Sequence, residues 1–269
     1  MDDRLDFLRR AYLWAHEHRR RLREGYRSAR DLGLGAGAEF RRARATRDYQ
    51  AAYDKPSPLV SICIATYNRA QLLRERSLRS SMEQTYQNIE IIVVGDACTD
   101  ETAEAMAQVA DPRVRFVNLE QRGDYPSERE LRWMVAGSAP VNHALSIARG
   151  DFITHLDDDD EHAPDRVEQL LSRIRETRVD ILYHPFRCET PDGDWYVNEA
   201  ASFDLGRVTT SSIFYHSWFR RLGWDPLAYR YREPGDWNRL RKFAFLGAHR
   251  VRHPAVLLSH YRERNQKKP

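Results

Sequence analysis

Cysteine is scarce: Cys63, Cys98 and Cys188 are all there is in 269 residues, far apart and odd in number. That argues against a disulfide framework and offers no metal-ligand spacing. Long apolar runs are missing too. Nowhere do eighteen apolar residues follow one another, and no charged segment leads into an apolar core after the opening Met-Asp-Asp. Neither a membrane span nor a secretory leader is expected. The chain reads as cytoplasmic, with peripheral contact at the inner face of the membrane left open. A net charge of +3 is too small to imply nucleic-acid binding, and no such partner is expected. Repeats and low-complexity segments are absent as well.

What is there is an ordinary globular composition, 41% hydrophobic and 31% charged, enough to build a sizeable core. The charge is uneven, with 13 Lys/Arg against 8 Asp/Glu in residues 1–50. Residues 4–32 read as helix. Leu5, Leu8, Tyr12 and Ala15 recur at helical spacing, and Phe7, Ala11 and Trp14 widen the stripe. Gly33, Gly35 and Gly37 break it. No strand precedes that G-L-G-A-G-A run, so it is a linker and not a dinucleotide fingerprint. A second basic helix over 38–53 leads to Lys55-Pro56-Ser57-Pro58, a domain boundary. The basic helical extension 1–55 has three candidate partners: anionic lipid, a second copy of the chain, or its own domain.

From Pro58 the character changes. Apolar runs at 59–65, 89–94, 114–117 and 152–156 alternate with helical patterns at 69–82, 99–110 and 138–148. The alternation predicts an α/β fold with a mostly parallel central sheet flanked by helices and joined by right-handed crossovers. Ligands of such sheets bind beyond the carboxyl ends of the strands. The unusual residues cluster at those ends: Thr66-Tyr67-Asn68-Arg69, then Gly95 to Asp100, then Asp157-Asp158-Asp159-Asp160. Adjacent carboxylates repel by roughly 1 kcal/mol per pair at ~4 Å in water, and by more when partly buried. Four in a row ask for a cation, and their hard oxygens suit Mg²⁺, Mn²⁺ or Ca²⁺. Further on, 179–188 reads as a strand and Pro191-Asp192-Gly193-Asp194 as a turn into 195–197. Residues 207–214 read as strand or loop, followed by a short helix through Phe219.

V-S-I-C-I-A-T-Y-N-R (60–69), I-I-V-V-G-D-A-C-T-D (91–100) and A-R-G-D-F-I-T-H-L-D-D-D-D-E-H-A-P-D-R (148–166) together resemble the family 2 glycosyltransferases. These are inverting, nucleotide-sugar-dependent enzymes of GT-A fold. The likeness is specific over 58–176, looser to 260, and does not cover the first 55 residues. It implies a catalytic domain over 56–269, with a nucleotide-binding half (58–160) and an acceptor-binding half (161–269). Thr66, Tyr67 and Asn68 would line the nucleotide pocket and Asp96 would read the base. Asp157 and Asp158 would meet the ribose and diphosphate, and Asp159 would hold a divalent metal, Mn²⁺ or Mg²⁺. His260 is a further metal candidate. Arg221 to Asp225 and Glu233-Pro234-Gly235-Asp236-Trp237 resemble the acceptor-side loop and the acidic motif whose last aspartate, here Asp236, is the general base.

Alternatives stay open at several of these positions. Asp236 could be only a helix N-cap, and Glu233 is the reserve base. Trp224 and Trp237 could stack on a sugar or belong to the core. The tail residues Arg262, Arg264, Lys267 and Lys268 could touch phosphate or simply be solvated. Two departures stand out. Gly95 occupies a position often held by a second aspartate, and Pro140-Val141-Asn142 replaces an A-R-N element. Arg122, Arg129 or Arg132 could restore its lost arginine. The implied donor is a nucleoside-diphosphate sugar, UDP first among the nucleotides. The acceptor would be a glycan, a lipid-linked precursor or a small molecule. A metal-dependent phosphohydrolase, or a non-catalytic binding partner that keeps the pocket, is the rival reading.

Overall fold

A computed structural model describes residues 2–262. Arg264, Lys267 and Lys268, together with the side chains of Leu5, Phe7, Leu8 and Ala11, lie outside the described residues. The chain opens with α1 (Asp2–Leu32), α2 (Ala36–Arg44) and α3 (Arg47–Asp54). The helix expected over 38–53 is therefore two. Thr46 divides it, its hydroxyl accepting the Tyr49 amide at 3.3 Å to cap α3. A threonine serves a helix better at that position than in its interior.

Next come β1 (Val60–Thr66), α4 (Ala70–Leu73), a π-helical turn over Arg74–Leu78, α5 (Arg79–Met82) and β2 (Ile89–Gly95). Then follow α6 (Thr102–Ala107), β3 (Val114–Asn118), α7 (Arg129–Val135), α8 (Ser138–Ile147) and β4 (Phe152–Asp157). The second half holds β5 (Glu161–His162), α9 (Arg166–Thr177), β6 (Ile181–Tyr183), β7 (Phe186–Glu189) and β8 (Trp195–Asn198). It ends with β9 (Ile213–His216), α10 (Gly235–Phe245), β10 (Arg250–Arg252) and β11 (Leu258–His260).

The large sheet runs β10-β6-β9-β4-β1-β2-β3, with β9 antiparallel to both neighbours and the other pairings parallel. A small sheet, β5-β11-β7-β8, stands beside it. β2 is buried along its whole length and β1 along nearly all of it, which accounts for their continuous apolar runs. The strand expected over 179–188 is split at His184-Pro185. Proline has no amide to give a ladder, and the chain leaves the large sheet as β6 and joins the small one as β7. The Pro191–Asp194 turn closes the β7–β8 hairpin, with Gly193 at φ 88°. Residues 207–214 resolve into a 3₁₀ turn at Thr210–Ser212 followed by β9.

The N-terminal helices make their described contacts with the rest of this chain. Phe40, Tyr49 and Tyr53 are buried in the main core. Tyr49 stacks on His216 with ring centroids 3.7 Å apart and donates its hydroxyl to Asp180 at 2.8 Å. Helix α1 lies against α10. Glu24 accepts the Trp237 indole N–H at 2.8 Å, and Arg241 donates to Ser28 and Asp31 at 2.6 and 3.1 Å.

Candidate active site

Strands β1, β2 and β4 end at one level, because Thr66 pairs with Gly95 and Ala65 with Asp157 in adjacent parallel ladders. A cavity of about 500 Å³ opens over those ends, lined by Thr66, Tyr67, Asp96, Asp157, Asp158, Asp159 and Trp224 among others. Residues spread across nearly 160 positions of the sequence thus face one space. Asn68 is not in the lining. It takes the left-handed conformation (φ 52°), and its side-chain Oδ1 accepts the Thr99 amide at 2.8 Å, tying the first loop to the second.

The aspartate quartet is a turn. Asp160 N–H donates to the Asp157 carbonyl at 3.1 Å, which returns Asp160 to the side of Asp157. Strand β11 delivers His260 to the same place, where its Nδ1 is 2.8 Å from Asp160 Oδ2. One ligand atom from each of Asp157, Asp160 and His260 fits within 4.8 Å of the others. Asp159, the expected metal ligand, stands apart from that trio: Arg69 Nη1 donates to it at 3.0 Å, and to Asp158 at the same distance. Asp158 also takes the Thr66 hydroxyl at 2.7 Å.

Electrostatics follow the geometry. Depth in the cleft, then the Asp160 and Asp159 charges, push the Asp157 carboxyl upward, although the residue stays exposed at the cavity. Burial moves Asp158 up to about 6 against the opposing Arg69 charge. Burial raises Asp160, and its hydrogen bond to His260 holds it back while raising the imidazole in turn. The two crowded carboxylates of Asp157 and Asp160, both raised, and the histidine form a donor set that suits a hard or borderline divalent cation.

On the β2 side, Asp96 is 2% exposed. Its Oδ1 accepts the Gly123 amide at 3.0 Å, and Arg122 Nε lies 3.8 Å from Oδ2. Gly95 has a packing cause. A Cβ there would meet Asn118 Oδ1 at 2.5 Å and Cys98 Sγ at 3.0 Å, so a second aspartate would have to displace the Asn118 side chain from its bond to the Cys98 amide. Of the three candidate replacement arginines, Arg122 and Arg132 line the cavity and Arg129 is not among its lining residues. Asn142 does another job than an arginine would: its amide accepts from and donates to the Trp224 backbone at 2.7 and 2.9 Å. This holds Trp224 at the cavity wall, with its buried indole Nε1 lacking a hydrogen-bond partner.

The acidic motif divides. Pro234 is the cap of α10 and Asp236 lies in its first turn, accepting the Trp237 amide at 2.6 Å. Burial raises the Asp236 carboxyl, opposed by that amide. Asp236 is not among the cavity's lining residues, though the neighbouring Gly235 sits tightly against the Trp224 ring that is. Glu233 points into a buried ion cluster with Arg27 (2.7 Å), Asn238 (2.8 Å) and Arg241 (3.1 Å). Trp237 is 4% exposed and faces α1. Sequence reasoning counted Asp160 only within the cation-seeking quartet and Arg69 only within the first strand-end loop, with no individual role for either. The spacing of Asp157 and Asp160 was the available signal, since first and fourth residues of a turn are neighbours.

Comparison with known proteins identifies the family and the fold. Residues 61–225 match the family model described as Glycosyl transferase family 2. Glycosyltransferase GlyG of Streptococcus pneumoniae is 31% identical over 144 residues, which is 52% of this chain and 43% of that protein. The putative colanic acid biosynthesis glycosyl transferase WcaA of Escherichia coli is 32% identical over 135 residues, 49% and 42% of the two chains. This chain thus spans less than half the length of either relative. Among solved structures, S. aureus TarS 1–349 in complex with UDP-GlcNAc superposes with a TM-score of 0.61 at 18% identity, covering 77% of this chain and 59% of that one. The mannosyltransferase PcManGT of Pyrobaculum calidifontis, in complex with GDP-Man and Mn²⁺, gives 0.54 at 19% identity, covering 91% and 69%. At such identities the structural likeness speaks to the fold, which is GT-A. With more than half its length matched by the family model, the chain belongs to glycosyl transferase family 2.

Proposed function

We propose that the protein is an inverting glycosyltransferase that moves a sugar from a nucleoside-diphosphate donor to an acceptor hydroxyl. The observation that carries this is the convergence of Thr66, Tyr67, Asp96 and Asp157 to Asp159 on one cavity at the strand ends. Tyr67 offers a ring face and Asp96 a buried carboxylate, a pair suited to a planar base with an N–H edge. Trp224 adds an aromatic ring to that wall, its indole N–H buried and without a partner. Asp157, Asp160 and His260 would hold a divalent ion, Mn²⁺ or Mg²⁺, and Asp159, freed from Arg69, would be a further ligand. When bound, that ion neutralises charge growing on the leaving diphosphate.

Asp236 is the base in this reading. A sugar hydroxyl is a weak nucleophile, so a carboxylate must take its proton as the new bond forms opposite the leaving group. A carboxyl whose pKa is raised by burial is a better match to that task at neutral pH. Residues 56–269 would be the catalytic domain. Among the described residues no helix is long and apolar enough to cross a membrane. A cytoplasmic enzyme, with peripheral contact at the inner face of the membrane left open, is our proposal.

The test is a thermal-shift screen of UDP, GDP, dTDP and CMP, with and without Mn²⁺. A ligand at a hundredfold excess over its Kd stabilises the folded state by about 2.7 kcal/mol. A shift for at least one diphosphate, enlarged by Mn²⁺, is expected. No shift with any of the four would remove the donor assignment.

A further inference from the structure

The two groups assigned to the nucleobase are already engaged. The Arg122 guanidinium lies 3.7 Å over the centroid of the Tyr67 ring, the separation at which a flat group stacks face to face. Its Nε lies 3.8 Å from Asp96 Oδ2, while Gly123 N–H holds Oδ1 at 3.0 Å. A guanidinium is planar, carries N–H donors along its edge and favours an aromatic face. These are the properties by which the Tyr67–Asp96 pair would recognise a base. The neighbouring glycine suits this placement: a Cβ at position 123 would run into the Tyr125 ring, which would have to shift, beside the main-chain N–H that bonds Asp96. Arg122 itself is half-exposed, with 43% of its side chain open, and its buried partner Asp96 keeps the Gly123 amide when the guanidinium leaves.

We propose that Arg122 is a surrogate base, occupying the nucleobase slot of the unliganded protein, so that donor binding is an exchange in which the base displaces the guanidinium from Tyr67 and Asp96. This rests on the donor reading above. A ligand that must first empty its slot has its apparent affinity reduced by the fraction of molecules in which the slot is open. Replacing Arg122 removes that penalty. A residue that instead covered the far side of a bound base, or gripped the diphosphate, would weaken binding when removed.

The experiment is calorimetric titration of the wild-type chain and Arg122→Ala with UDP and GDP, and with uridine and guanosine. Asp96→Asn serves as the binding-deficient control, and melting curves verify that every variant is folded. The expected result is that Arg122→Ala binds the preferred nucleotide about 3- to 30-fold tighter. Its nucleoside should gain by the same factor, since the competition is for the base and not the phosphates. Binding by Arg122→Ala where the wild type shows none is the strongest form of that result. Equal or weaker binding by Arg122→Ala overturns the proposal while leaving the donor site standing, provided the wild type binds and Asp96→Asn does not. Failure of both wild type and Arg122→Ala to bind any of the four overturns the donor reading and this inference with it.

Discussion

Replacing Glu233 by alanine tests whether that residue is a structural clamp or a chemical group. Its carboxylate accepts from Arg27 at 2.7 Å, Asn238 at 2.8 Å and Arg241 at 3.1 Å, at 6% exposure. Arg241 is itself 2% exposed. Removing one partner of a buried ion pair costs about 3–5 kcal/mol, because the surviving charge loses its compensation. Asp31, 3.1 Å from Arg241, remains and holds the loss near the lower end, about 3 kcal/mol. For a chain of this size each kcal/mol lowers Tm by about 2–4 °C, so the variant should melt on the order of 6–12 °C below the parent. The assay is circular-dichroism melting at fixed pH and salt, paired with turnover on protein verified to be folded at the assay temperature. The folded variant should keep most of its kcat. A variant that melts within about 1 °C of the parent but loses turnover would refute the clamp and restore Glu233 as an acceptor-side or basic group.

Four further outcomes are expected. Asp236→Asn should lower kcat by about 10²–10⁴ while leaving the nucleotide Kd within about twofold, measured by steady-state kinetics and titration; an equal loss in both would deny it the role of base. His260→Ala and Asp157→Asn should each weaken Mn²⁺ binding at least about tenfold, read from free Mn²⁺ by electron paramagnetic resonance. Trp224→Phe keeps the ring and loses the indole N–H, so it should raise the donor or acceptor KM several-fold without altering Tm; unchanged kinetics would count against a ligand contact there. His216, buried and stacked on Tyr49, is pushed down to about 4 by burial, against about 6.5 in the unfolded chain. The unfolded state therefore binds the extra proton, and stability present in full above pH 6.5 declines as pH falls through that window to 4, by about 3 kcal/mol. Urea titrations at several pH values should show this decline, and His216→Gln should flatten it in part, since buried His155, His162 and His184 are also held below their ordinary range.

Periodicity sufficed for much of this molecule. The apolar runs at β1, β2 and β4 announced strands covered on both faces, and the polar residues that end them announced a site at one edge of the sheet. A strand covered on both sides is hydrophobic throughout, and a ligand edge is the one place where such a strand can end in carboxylates. Local chemistry was harder to read where one residue switched the chain's direction, as Thr46 does between α2 and α3 and Pro185 between the two sheets.

The sequence alone thus determined the alternating architecture, the family and the cluster of acidic and aromatic residues that line the cavity. Only the tertiary structure decided how those residues are used. A turn pairs Asp157 with Asp160, β11 brings His260 from 100 positions away, and α1 captures Glu233 and Trp237 for packing. Arg122 reaches Tyr67 across 55 positions in the same way. Such pairings depend on which loop returns to which strand end, and a hydrophobic pattern carries no record of that because exposed polar loops have no periodicity to read.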